Sequence, residues 1–288
     1  MEARCFAMET CQTKSPAAGL FRHRSHPNPW RSRKNLAPLG KHQTSAFYSC
    51  LVAFAAPCSS TQLHKLDLEP RQHHRMFILG MGYVGQFFSQ FLKSQDRWTV
   101  TGTCTSLMKK KQLEDRGFDV CLFDANEPEC IKHMLNTLKS YTHVIVSIPP
   151  RVAVGDPILQ HEQLLRSGLM NRNLQWLGYL SSTSVYGDCG GSFVDEDYLT
   201  CPTSDTAKLR LAAEQGWLNL GHDLGISTNV FRLGGIYGPG RSAVDTIFKQ
   251  GPLSKGQKMR MFRQYTSRVH VEDICQALKA SIYMPSSR

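Results

Sequence analysis

The chain has 288 residues, 41% of them hydrophobic and 20% charged, with a formal net charge of +11. That length can bury the core of one large α/β domain or two small ones, and the charged fraction is ordinary for a globular protein. Nine Lys/Arg against two acids in residues 1–66 supply +7 of the charge and leave +4 for the rest, so the basicity belongs to the leader and is weak evidence for nucleic-acid binding by the folded part.

Residues 1–66 show no sustained helical or strand period and combine Arg, Ser, Thr and Pro with almost no acid. This composition predicts an organelle transit peptide, chloroplast first, with mitochondrion or cytoplasm as the alternatives. A disordered tail or an artefact of gene prediction would read the same way. The apolar stretch 46–57 is too short to cross a bilayer. No other segment is a membrane candidate, so a soluble mature protein is expected. The ten cysteines include no C-x-x-C pair, and the histidines complete no zinc pattern. They read as buried or idle thiols in a reducing compartment, and no metal site is expected.

Order is predicted from Arg75. Met76-Phe77-Ile78-Leu79 is an apolar run suited to a buried parallel strand, and residues 86–94 have helical apolar spacing through Phe87, Phe88, Phe91 and Leu92. Further strands are predicted at 98–103, 120–123, 144–148, 175–180 and 227–233. Helices are predicted at 109–116, 131–140, 162–171, 206–220 and 271–283. Strands alternating with helices at this spacing imply right-handed crossovers and a parallel sheet covered on both faces. The fold class is therefore α/β, a Rossmann-type doubly wound parallel sheet over residues 67–288.

Gly80-Met81-Gly82-Tyr83-Val84-Gly85 joins the first of these strands to the first helix. G-x-G-x-x-G in that setting is a dinucleotide-binding fingerprint. Gly80 permits the tight turn, Gly82 lets backbone approach a pyrophosphate, and Gly85 lets helix pack on strand. The free N–H groups of Tyr83 and Val84 at the helix start then face the phosphates. Glycines serving only a tight turn would give the same pattern without a ligand.

An NAD site usually carries Asp or Glu at the end of the second strand. Here Thr103-Cys104-Thr105-Ser106 stands there, followed by Lys109-Lys110-Lys111. Thr105 and Ser106 hydroxyls, with a lysine, suit a 2′-phosphate, which favours NADP(H) over NAD. Lys111 fits a solvated helix face equally well. Asp124, ending the third strand, is placed to meet the adenine amino group, and Ser147, ending the fourth, completes the cofactor set.

Three later segments carry a resemblance. They are Ser181-Ser182-Thr183-Ser184-Val185-Tyr186-Gly187, Arg232-Leu233-Gly234-Gly235-Ile236-Tyr237-Gly238-Pro239, and Ser267-Arg268-Val269-His270-Val271-Glu272-Asp273-Ile274. In this order, after the glycine loop, the chain resembles the extended short-chain dehydrogenase/reductase (NAD-dependent epimerase/dehydratase) superfamily over residues 75–283. Its Pro149-Pro150 and the Arg standing for Lys are similar to atypical members. The resemblance implies a Ser, a Tyr and a Lys acting together on the substrate oxygen. Ser182 takes the Ser role. Counting back from Glu214 puts Arg210 at the Lys position and Thr206 at the Tyr position.

That substitution has chemical content. A phenol can be tuned toward neutrality by a nearby cation, whereas the aliphatic hydroxyl of Thr206 is much harder to ionise. Arg210 keeps a permanent charge and five donors for a ribose or phosphate. Tyr186 or Tyr198 would have to supply a displaced phenol. The family binds substrate in a C-terminal lobe, to which residues after about 235 contribute here. The chain's end at Arg288 predicts a reduced or truncated lobe and an exposed sheet edge. Lys249, Lys255, Lys258 and Arg260 there suit an anionic substrate or a solvated basic loop. Three functions follow: an NADP(H)-dependent oxidoreductase or epimerase/dehydratase on a small polar substrate, a non-catalytic dinucleotide-binding sensor or scaffold, and an RNA-associated plastid protein. Nucleic acid and membrane are not expected partners, and a homodimer is entertained.

Overall fold

The computed structural model describes residues 5–7, 73–170, 173–242 and 265–284. By contact the chain divides into residues 1–15 with 72–288, and residues 16–71, which lie outside the described residues.

Seven strands form one parallel sheet: β1 (Cys5–Ala7), β2 (His74–Leu79), β3 (Trp98–Cys104), β4 (Asp119–Leu122), β5 (His143–Val146), β6 (Trp176–Ser182) and β7 (Ser227–Leu233). Their order is β1-β7-β6-β5-β2-β3-β4. The winding direction reverses between β2 and β5, which leaves a crevice at the carboxyl ends of those strands. The six domain strands match the predicted ones to within a residue or two at most ends. The seventh was not expected. Cys5–Ala7 pairs with Val230, Phe231 and Arg232 and covers the edge predicted to stay open. Unpaired amides and carbonyls on an edge are a ready template for any extended segment.

Helices α1 (Tyr83–Lys93), α2 (Leu107–Glu114) and α6 (Val271–Tyr283) cover one face, while α3 (Pro128–Leu138), α4 (Glu162–Leu169) and α5 (Asp205–Leu224) cover the other. The strand side chains alternate accordingly. Phe77 and Leu79 pack with Ile131, Leu135, Trp217 and Leu220, whereas Met76 and Ile78 pack with Val84, Phe88, Leu92 and Leu278. Strands buried on both faces carry the continuous apolar runs seen in the sequence. Two short strands, β8 (Gly235–Tyr237) and β9 (Arg268–His270), pair in parallel outside the main sheet. They hold the start of the region assigned to the substrate lobe. Lys249, Lys255, Lys258 and Arg260 lie outside the described residues.

Helix α1 starts three residues earlier than its apolar spacing predicts, at Tyr83. Gly85 falls inside its first turn, where a glycine hides the helical signal. Helix α5 runs on to Leu224 and ends at Gly225 in a left-handed C-cap (φ 66°).

Candidate dinucleotide site and its neighbours

The β2–α1 connection is built from backbone. Gly80 has φ 100°, which a side chain would strain, and its N–H donates to Thr103 Oγ1 at 2.9 Å. The Met81 N–H donates to the Thr103 carbonyl at 2.8 Å. These two bonds fasten the loop to β3. Gly82 caps α1 with extended backbone and no side-chain hydrogen bond, so the first-turn N–H groups of Tyr83 and Val84 keep their donors for another acceptor. A Cβ on Gly82 would meet nothing within 4 Å, while one on Gly85 would lie 2.7 Å from the Gly80 carbonyl oxygen. One glycine thus leaves open space in front of a helix N-terminus, and the other lets the helix press on the loop.

Beside this cradle runs a cleft lined by Gly80, Thr105, Asp124, Asn126, Ile148 and Arg151, among others. Thr105 and Ser106 are exposed at the end of β3, and the Ser106 Oγ accepts the Lys109 N–H at 3.3 Å to cap α2. Asp124 Oδ1 accepts both the N–H and the side-chain amide of Asn126, at 2.9 and 2.6 Å. Ser147 is half-buried directly after β5, its N–H donating to the Leu79 carbonyl at 2.8 Å, and its backbone packs beside Gly80. All the sequence-predicted cofactor residues from Gly80 to Ser147 therefore gather at one end of the sheet. In the lysine run, Lys110 is ion-paired with Glu114 and Lys111 is exposed, which leaves Lys109 nearest the α2 cap.

At the β6 end, Ser182 closes the strand and its Oγ accepts the Ser184 N–H at 3.2 Å. Thr206 is exposed in the first turn of α5, its hydroxyl 3.2 Å from that of Ser204, the helix cap. Arg210 is half-buried one turn further on. Helix α5 packs on β6 and on the turn after it, so the carriers of Ser182 and Arg210 are neighbours. Burial pushes the Tyr179 phenol upward, the nearby Asp156 adds to the rise, and the Arg210 charge opposes it.

The dominant polar feature here was not legible as a unit in the sequence. Arg232 binds Glu214 through Nη2 at 2.9 Å and Nε at 3.1 Å, both residues being buried. Ser181 Oγ donates to Glu214 at 2.5 Å, and Arg232 Nη1 donates to the Tyr186 hydroxyl at 3.0 Å. The guanidinium also sits 4.9 Å from the Tyr186 ring centroid. Tyr186, considered above as a displaced phenol, is thus committed to Arg232, while Tyr198 is exposed with its ring edge-on to that of Tyr186.

The segment after β8 folds back onto α1. The Tyr83 hydroxyl donates to the Pro239 carbonyl at 3.0 Å, and the Arg241 guanidinium lies 5.2 Å from the Tyr83 ring centroid. Burial raises the Tyr83 phenol pKa, and Arg241 opposes that rise. Among the described residues no His/Cys/Asp/Glu group is arranged for a metal ion, and no helix is long and apolar enough to cross a membrane.

No family model matches the chain. It is 28% identical over 216 residues to Protein YeeZ of Escherichia coli K12, spanning 73% of this chain and 74% of that protein. A solved conserved protein of unknown function from Silicibacter pomeroyi is 33% identical, with a TM-score of 0.58 over 74% of this chain and 69% of that one. UDP-glucuronic acid 4-epimerase from Bacillus cereus, solved with UDP-glucuronic acid and NAD, shares the fold at 17% identity, with a TM-score of 0.57 over 74% of each chain. At this identity the chain belongs with the Silicibacter pomeroyi protein, and the sheet order and the Bacillus cereus neighbour show that it has the Rossmann-type fold of the NAD-dependent epimerases.

Proposed function

We propose that this chain binds a nicotinamide dinucleotide, NADP(H) in preference to NAD(H), and acts as an oxidoreductase or epimerase/dehydratase on a small polar substrate. One observation carries the proposal: the open space at Gly82 in front of uncapped helix N–H groups, with Gly85 packed against Gly80. A diphosphate satisfies those donors and the helix dipole together. The Bacillus cereus neighbour was solved with NAD, which supports the nucleotide class but not the choice of NADP.

The residues present fit the cofactor. Tyr83 and Val84 amides would hold the diphosphate, and Asp124 keeps Oδ2 for the adenine amino group. Arg210 would hold the nicotinamide ribose. Preference for a 2′-phosphate rests on the missing carboxylate at the end of β3 and on the α2 N-terminus that Ser106 opens. When bound, the nicotinamide supplies or accepts hydride. The chain's own part is to orient a substrate oxygen through the Ser182 hydroxyl and to stabilise negative charge through Arg210.

A titration of the full chain tests this. NADPH is expected to bind more tightly than NADH, and Gly82→Val is expected to abolish both by filling the phosphate space while leaving the fold intact. Equal affinity would remove the preference for NADP. Unchanged binding by Gly82→Val would remove the site from this loop.

Thr206 favours a second reading, a dinucleotide-binding sensor or scaffold without turnover. No phenol stands at that position of α5, and the Tyr186 hydroxyl is engaged by Arg232. Absence of NADPH oxidation across sugar-nucleotide and small carbonyl substrates, with binding retained, would favour it.

A further inference from the structure

The adenosine-side cleft holds a cation that the glycine fingerprint does not account for. Arg151 follows Pro149-Pro150, lines the cleft together with Thr105, Asp124 and Asn126, and is exposed. It makes no ion pair with a described residue. Lys110, near the end of β3, is ion-paired with Glu114.

The backbone around Arg151 is held firmly. Its N–H donates to the Gly155 carbonyl and the Gly155 N–H donates back, each at 2.8 Å, while the Val154 N–H donates to the Arg151 carbonyl at 3.2 Å. Ala153 is held at φ 77°, a left-handed conformation that a side chain disfavours by about 1 kcal/mol or more. Such a conformation persists only where its surroundings over-determine it. Asp156, three residues on, supplies the anchor. Buried Asp156 accepts the Ile158 and Leu159 N–H groups through Oδ1, at 2.9 and 3.1 Å, and the Trp217 indole N–H through Oδ2 at 2.9 Å. The turn is thereby tied to α5 and presents Arg151 to the cleft that Thr105 also lines.

We propose that Arg151 is the specificity-determining residue that clamps the 2′-phosphate of NADP(H), with Thr105 and Ser106 as its hydroxyl partners. This rests on the dinucleotide site proposed above. A phosphate monoester carries close to two negative charges at neutral pH, and a planar guanidinium binds it through paired charge-assisted bonds. Asp124 shares the cleft, but its Oδ1 is occupied by Asn126.

The test titrates the full chain, Arg151→Ala and Arg151→Lys with NADPH, NADH and adenosine 2′,5′-bisphosphate, with thermal unfolding as the control for folding. Arg151→Ala is expected to weaken NADPH and the bisphosphate about 10- to 100-fold and NADH less than about threefold, with Arg151→Lys intermediate. Equal loss for NADPH and NADH would assign Arg151 to the diphosphate and overturn the proposal, as would no loss at all. If the unaltered chain binds NADH but neither 2′-phosphorylated ligand, this inference falls and the dinucleotide site stands. If it binds none of the three, both fall.

Discussion

The two ends of the sequence fingerprint are built on different principles. At the β2–α1 end the candidate site is made of amides, a glycine in a conformation closed to side chains, and empty space, fastened to β3 through Thr103. At the β6–α5 end it is made of side chains, and most of those with a fixed position serve the fold: Glu214, Arg232, Ser181 and Tyr186 close on one another. A backbone site tolerates wide change in sequence so long as its glycines remain. A proton-transfer site is lost with one substitution, and Thr206 stands where the family resemblance calls for a phenol. Nucleotide binding and catalysis can therefore part company within one fold.

Three experiments press on this contrast. The largest effect is expected from Glu214→Ala, which leaves the Arg232 guanidinium buried without its carboxylate. Chemical denaturation should show a loss of about 3–5 kcal/mol. A loss below about 1 kcal/mol would mean that the network does not hold the β6–α5 end together.

Acid should come next, through a region remote from both sites. Burial lowers His143 to about 4, with the His74 charge adding to the effect, and the ring packs edge-on to Trp98 at 5.0 Å. The folded state thus prefers the neutral imidazole, while the unfolded chain takes up a proton near the ordinary value of about 6.5. The stability this confers is fully present above pH 6.5 and is lost as pH falls from about 6.5 toward 4, amounting to about 2 kcal/mol between pH 7 and pH 5. His143→Phe should flatten that part of the pH–stability curve. An unchanged curve would mean that another group titrates.

The smallest effect is expected from Tyr186→Phe, which removes one acceptor from Arg232 at a cost of about 1–2 kcal/mol. NADPH affinity should stay unchanged. If stability holds while NADPH turnover disappears, Tyr186 is the displaced phenol after all and the β6–α5 end is catalytic.

The glycine loop, the strand succession and the placement of the candidate residues from Gly80 to Ser147 at the strand ends were legible because each is local: a short run, a period of 3.6 or an apolar strand marks it. The Glu214–Arg232 pair was not, because its partners are joined only when β7 comes to lie beside β6 under α5. In the sequence Glu214 serves only as a landmark for counting. Arg151 escaped for another reason. It sits after two prolines in an aperiodic turn, and nothing local says that Gly155 and Asp156 will fix it against the cleft. The start of α1 was missed because a glycine required for packing is a poor helix former, so the helical pattern surfaces only beyond it.

The tie between Asp156 and the Trp217 indole has an optical consequence. Indole emission responds to the carboxylate it donates to, and this carboxylate stands at the foot of the turn that bears Arg151. Trp98 and Trp176 belong to the other face of the sheet. With Trp30, Trp98 and Trp176 each replaced by Phe, the Trp217 indole would act as an intrinsic fluorescent gauge of that turn, readable without label or substrate.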